Sequence, residues 1–240
     1  MRPSPGFRGN VCRYACGRMS TVTEVWRYPV KSMAGERLES CMVTDRGLEG
    51  DRRWAFIDRS PNRDGKWFNI KQHAPLMTYR ARLDGGALEL VSPDGAAIDL
   101  RGDLLPRFQT EAARPLELRE LPGENFDDSH VLIVNMASVQ SFALEAGMPL
   151  DHRRFRANLY VDGLEPEEEL RWLGRVIRAG DAELEVTSRC ERCKVITMDP
   201  DTTVATPELL RLLVERHDER MGVYCRVVRP GSVAVGDFVG

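Results

Sequence analysis

Between residues 182 and 187, Ala182, Leu184 and Val186 alternate with Glu183, Glu185 and Thr187. A period of two sends one face of an extended chain to a core and the other to water, so this segment reads as a half-buried strand. Similar short runs at residues 23–28, 38–43, 54–57, 88–91 and 98–100 are separated by Gly, Pro and Asp and are also read as strands. Asp84-Gly85-Gly86 and Pro93-Asp94-Gly95 are turn chemistry, the second supplying a fixed φ and then a residue that tolerates positive φ, which predicts hairpins. Further along, the pattern predicts strands over 131–134, 155–161, 176–177, 182–186, 194–198, 222–228 and 232–239. Two helices interrupt them. Val139, Phe142, Ala143 and Ala146 share one helical face that Gly147 ends, and a second helix opens at Thr206-Pro207 and runs through Leu209, Leu210, Leu212 and Leu213.

Residues 101–128 carry Pro106, Pro115, Pro122 and Gly123 without a clear period, and they read as an irregular boundary between two lobes. The fold class is therefore mostly β with a few helices (α+β). A β-rich domain over residues 21–125 packs on a second β-rich domain over 126–240, whose closed form is a barrel. Residues 1–20 differ from both. Arg2, Arg8, Arg13 and Arg18 come with no acidic residue and no periodicity, as in a disordered or extended tail. That composition suits either a transit peptide or an upstream start, with the working chain beginning near Met19, and it lacks the apolar stretch of a signal peptide.

With 240 residues and 42% of them hydrophobic, the chain can bury a substantial core. A net charge of -3 offers no basic field for nucleic acid. No apolar run approaches the roughly 20 residues that span a bilayer. Six cysteines in this length do not make a disulfide scaffold, so a reducing, cytoplasmic setting is expected.

Ser188-Arg189-Cys190-Glu191-Arg192-Cys193 follows the clearest strand and sets two thiols on a turn. Arg189, Arg192 and Lys194 would favour the thiolate, the reactive and metal-ligating form, if they lie close by. Spacing alone leaves open a structural role, metal ligation and a redox pair, in that order. One CxxC lacks the second pair of a structural zinc site, and Val195-Ile196-Thr197-Met198 does not resemble the helix that follows a thioredoxin-type pair.

Cations and small polar groups also gather elsewhere. Tyr28-Pro29-Val30-Lys31-Ser32 leaves a strand with a cation beside a hydroxyl, and Asp51-Arg52-Arg53-Trp54 enters one. Read as a strand, Arg153-Arg154-Phe155-Arg156-Ala157-Asn158 would place Arg154, Arg156 and Asn158 on one face. Such groups suit a phosphate, through the planar fork of Arg and the point charge of Lys, although each segment taken alone reads first as a solvated, salt-bridged surface.

Together, from Val25 onward, these segments resemble the MOSC family, the molybdenum cofactor sulfurase C-terminal domains, in its two-part form with an N-terminal β-barrel domain. The two-part members include the mitochondrial amidoxime-reducing component and its bacterial relatives. The resemblance rests on Tyr28-Pro29-Val30-Lys31-Ser32, Phe155-Arg156-Ala157-Asn158, Cys190-Glu191-Arg192-Cys193 with Asp199-Pro200-Asp201-Thr202, and Pro230-Gly231 with Val235-Gly236-Asp237, in that order. It implies a molybdenum cofactor, Mo-molybdopterin, and no pyridoxal phosphate. Cys193 would be the protein's sulfur ligand to the metal and the catalytic residue, while Lys31, Ser32, Arg52, Ser129, Arg156, Asn158, Arg192 and Tyr224 would hold the pterin and its phosphate.

The implied activity is an oxidoreductase reaction that reduces N-hydroxylated compounds (amidoximes, hydroxylamines, N-hydroxylated bases) to amines or amidines. The alternative is a carrier that binds the cofactor, or carries persulfide sulfur, for another enzyme. Only Cys225 follows the CxxC, so no iron-sulfur segment is expected, and electrons would come from a separate ferredoxin-, flavodoxin- or cytochrome-type protein. Asp128 and Glu191 depart from the family pattern by placing acids beside an anionic cofactor, and Ala157 replaces a common proline. His73 and His130 are conceivable proton donors that belong to no motif.

Overall fold

A computed structural model describes residues 20–121 and 123–240. The expectation of a disordered tail, together with Cys12 and Cys16, falls outside them. Among the described residues the first part of the chain forms β1 (Ser20–Arg27), β2 (Glu36–Leu38), β3 (Ser40–Thr44), β4 (Gly47–Leu48), β5 (Trp54–Asp58), β6 (Lys66–Phe68), β7 (Arg80–Asp84), β8 (Ala87–Val91), α1 (Leu105–Ala112) and β9 (Leu116–Glu120). The remainder forms β10 (Val131–Asn135), α2 (Met136–Ala146), β11 (Leu159–Asp162), β12 (Val176–Ala179), β13 (Ala182–Glu191), α3 (Glu208–His217), β14 (Arg220–Arg229), β15 (Gly231–Ala234) and β16 (Phe238–Val239).

Seven of these strands close on themselves in the order β1-β11-β10-β14-β13-β12-β16, with β16 pairing back to β1. Closure removes the open edges of a sheet. The alternation read at residues 182–187 explains the filling: Ala182, Leu184 and Val186 point into a core shared with Val22, Val25, Val131, Ile133, Leu159, Val161, Val223 and Cys225. One stave, β1, precedes the other lobe in sequence, and β3 pairs with β15, so residues 20–27 and 38–48 pack with the barrel while Val30 and Met33 between them enter the other core. Gly222 allows β14 to lie close to β10. At its φ of +81°, a Cβ would come within 2.7 Å of the Ile133 carbonyl oxygen.

The other lobe has its own core, in which Phe108 of α1 meets Phe56 and Tyr79 edge-on at 5.5 and 5.3 Å. Here the sequence pattern misled in several places. The stretch 101–128 is not simply irregular, because it contains α1 and β9, and β9 pairs with β5. Pro106 sits in the first turn of α1, where its missing N–H costs nothing. Residues 98–100 form no strand, because the Asp99 carboxylate accepts from the Arg101 and Gly102 N–H groups and bends the chain. The run 38–43 is split at Glu39 into β2 and β3.

In the barrel lobe, residues 194–198 form a short turn, Lys194–Thr197, closed by the Thr197 hydroxyl on the Lys194 carbonyl at 2.7 Å. The strand expected over 155–161 begins only at Leu159. Ahead of it, Asp151 accepts from the Arg153 N–H at 2.8 Å and starts a turn over His152–Phe155. Helix α3 starts at Glu208 with Pro207 ahead of it, and no side-chain oxygen caps it, so Thr206 does not have the expected role. Among the described residues, no helix is long and apolar enough to cross a membrane.

Candidate functional site

Where the lobes meet, a cleft of about 290 Å³ takes one wall from Lys31, Ser32, Arg52 and the Asn69–Ile70–Lys71 loop, and the other from residues 154–156, 190–193, Val195, Ile196 and Tyr224. Seven of the nine sequence-derived site residues line it: Lys31, Ser32, Arg52, Arg156, Arg192, Cys193 and Tyr224. Asn158 is buried behind the wall, where its side chain bonds the Trp26 carbonyl, Asp51 and the Leu132 N–H. Ser129, on the loop between β9 and β10, does not reach the lining. His73 packs between Phe68 and Phe108, and His130 lies against Phe126; neither lines the cleft.

The backbone is bent sharply where the cations enter. Ser32, Arg52 and Arg156 adopt φ of 76°, 48° and 55°. Side-chain-bearing residues rarely adopt that region, and strain of this kind concentrates at functional sites. At Arg156 the bend also corrects the alternating-strand expectation. Arg154 turns into the protein to bond the Thr197 carbonyl at 2.8 Å and Asp199 at 3.3 Å, while Arg156 lies over the Tyr28 ring at 4.5 Å and donates to the Met33 carbonyl at 2.7 Å.

A buried carboxylate organises this wall. Asp51 accepts from the Tyr28 N–H at 2.7 Å and from the Asn158 amide at 3.1 Å, and it pairs with Arg52. Lys31 is almost fully buried, with Nζ 2.7 Å from both the Asn125 carbonyl and Asp127 Oδ1 and 3.9 Å over the Trp67 ring. Burial pulls its pKa down to about 8 even though the Asp127 charge opposes the shift. The same loss of solvent raises the Tyr28 hydroxyl to about 12, against the pull of Arg156 and Arg52, and pushes Tyr224 upward beside Cys190.

The two thiols differ in exposure. Cys190 is buried in β13 and receives Arg192 Nη1 at 2.9 Å, while Arg192 Nη2 donates to the Phe155 carbonyl at 2.7 Å. Cys193, just past the strand, is half-buried and faces the cleft; Cys41 and Cys225 are buried. The N–H groups at Nε of Arg192 and Arg154 are buried without a hydrogen-bond partner, a costly state. Among the described residues, no group of three or more His, Cys, Asp or Glu is placed to hold a metal. A metal at Cys193 would need its other ligands from outside the protein.

The departures noted in the sequence do not neutralise these cations. Asp128 is exposed and accepts from Ser188 at 2.6 Å, and Glu191 is 72% exposed on its side chain and 3.8 Å from Arg220. Asp51, Asp127 and the Asn69–Lys71 loop were not picked out as site residues, and Arg154 was read only as part of a basic strand face. Asp51 stands beside Arg52 in a segment already singled out, which was a usable signal; the loop joins the site through tertiary contact and left none.

Two family models cover the chain: the MOSC domain over residues 120–240 and the MOSC N-terminal beta barrel domain over 19–130. The chain is 27% identical to a molybdenum cofactor sulfurase of Caenorhabditis elegans over 86% of its own length, but spans only 33% of that relative. It is 25% identical to mitochondrial amidoxime reducing component 2 of Rattus norvegicus, over 92% of this chain and 83% of that one. Among solved structures, the YUAD protein of Bacillus subtilis shares the fold at a TM-score of 0.53 and 16% identity, covering 92% and 94% of the two chains.

Proposed function

The chain belongs to the MOSC domain family, and from that premise we propose that it is a molybdenum-cofactor-dependent oxidoreductase that reduces N-hydroxylated compounds to amines or amidines. The observation that carries the proposal is the convergence of a half-buried thiol, Cys193, with the cations Lys31, Arg52, Arg156 and Arg192 around one cleft. A sulfur-rich, phosphate-bearing metal cofactor needs a soft ligand at one end and positive charge at the other. The donor set, one soft thiol among several cations, fits this group. The relative named for amidoxime reduction matches over most of its length, which favours reduction over a sulfurase role.

Cys193 would tie the cofactor to the barrel, with Lys31, Ser32, Arg52, Arg156, Arg192 and Tyr224 around its organic part. Asn158 would act through Asp51 and Arg52. When bound, such a cofactor supplies the two electrons that break the N–O bond. The balance is an N-hydroxylated substrate plus two electrons and two protons giving the amine or amidine plus water, with the electrons from a separate ferredoxin-, flavodoxin- or cytochrome-type protein. Asn69, Ile70, Lys71, Val195 and Ile196 wall the cleft and would orient the substrate. Lys31, held by the Asn125 carbonyl and Asp127, would present positive charge to the cofactor.

The test is protein made in a host that synthesises molybdopterin, assayed with reduced benzyl viologen and benzamidoxime or a hydroxylamine. Turnover that Cys193→Ser abolishes is expected. Stoichiometric molybdenum without turnover on any N-hydroxylated substrate would replace this reading with the carrier one.

A further inference from the structure

A second cleft, of about 340 Å³, lies on the far side of Arg156, which lines both cavities. Its lining includes Trp26, Tyr28, Arg37, Arg80 and Arg153. Strands place three of them. Trp26 and Arg37 are paired partners on β1 and β2, and Arg80 begins β7 where its backbone bridges Ala34. The Trp26 and Tyr28 rings are stacked, with centroids 6.3 Å apart and planes within 20°.

The charges here are unbalanced. Arg153 is already held by Asp151 and Asp201, but Arg80 is exposed and its guanidinium makes no hydrogen bond or ion pair among the described residues. Arg37, also exposed, has only a long contact of 3.5 Å to the Thr23 carbonyl, and no carboxylate pairs with it. Among the described residues of the lining, Asp201, committed to Arg153, is the one carboxylate. Unpaired guanidinium groups beside aromatic rings match a planar, electron-rich ring bearing a phosphate, because Arg binds phosphate oxygens in pairs and rings accept stacking.

We propose that the cleft bounded by Trp26, Arg37, Arg80 and Arg156 binds a nucleoside phosphate, its base against Trp26 and its phosphate between Arg37 and Arg80. Two sources share that chemistry: a free nucleotide, and the nucleotide end of an elongated molybdopterin dinucleotide reaching past Arg156. Only the second rests on the molybdenum reading.

The experiment titrates the full-length protein with AMP, CMP and GMP while following tryptophan fluorescence. Saturable quenching is expected, absent in Trp26→Phe and weakened roughly tenfold or more in Arg37→Glu/Arg80→Glu. In parallel, acid hydrolysis of molybdenum-loaded protein is searched for released nucleotide. Quenching together with release stoichiometric with molybdenum supports the site and assigns it to the cofactor's own tail; quenching without release supports it and assigns free nucleotide; release without quenching overturns it, because the tail would then lie elsewhere. Neither quenching nor release overturns the proposal, as does quenching that the double arginine variant leaves unchanged, because binding would then lie elsewhere. The quenching arm needs no molybdenum, so its failure is distinguishable from failure of the enzyme reading.

Discussion

Replacing Asp51 by Asn changes one buried oxygen to an NH2 group and should destabilise the protein far more than its size suggests. The carboxylate side chain is fully buried beside Arg52, which is 12% exposed, and it accepts from the Tyr28 N–H at 2.7 Å and the Asn158 amide at 3.1 Å. An asparagine can keep its oxygen toward the Tyr28 N–H. Its NH2 group would then face the donors of Asn158 and Arg52, and the buried guanidinium would lose its counter-charge. Removing one partner of a buried ion pair costs about 3–5 kcal/mol, because the remaining charge keeps its desolvation penalty. Total stability of a typical domain is only about 5–15 kcal/mol, so the loss is easily measured. Urea unfolding followed by circular dichroism reads it as a lower midpoint at unchanged slope. Glu120→Gln is the control: its pair with Arg53 is 37% and 41% exposed and should contribute below about 1 kcal/mol. An Asp51→Asn loss no larger than the control's would refute the idea that a buried acid anchors the cationic wall.

Lys31 should make stability depend on pH in an uncommon direction. Its folded pKa is about 8 against 10.5 unfolded, so between those values the unfolded chain holds the extra proton, and stability rises with pH by on the order of 3 kcal/mol. Lys31→Met should remove that rise relative to wild type over the same window; parallel curves for the two proteins would contradict the burial argument. Thiol exposure gives another check. Brief alkylation of native protein followed by peptide mapping should label Cys193 and spare Cys41, Cys190 and Cys225. Equal labelling of Cys190 would show that the Arg192 contact does not hold it inside.

What the sequence revealed and what it hid divide along physical lines. The barrel staves were legible because each has one face in the core, as in β13, where alternation follows directly from burial. The turns at His152–Phe155 and Lys194–Thr197 were misread as strands because their apolar residues are buried by tertiary packing rather than by a pleat. Helix α1 was hidden by the surrounding prolines, although Pro106 stands where a helix tolerates it. Within the cleft, Lys31, Arg52, Arg156, Arg192 and Cys193 were found as short motifs of one charge or one thiol type. Asp127 and the Asn69–Lys71 loop carry no motif, and Asn158, expected to touch a ligand, instead supports Asp51.

The most direct measurement is molybdenum content per chain in protein purified from a molybdopterin-synthesising host, for wild type and Cys193→Ser side by side, with unfolding curves confirming that both are folded. Stoichiometric molybdenum in the wild type and little in the variant is the predicted result. Equal molybdenum in both, or a folded wild type that contains zinc and no pterin, would contradict it.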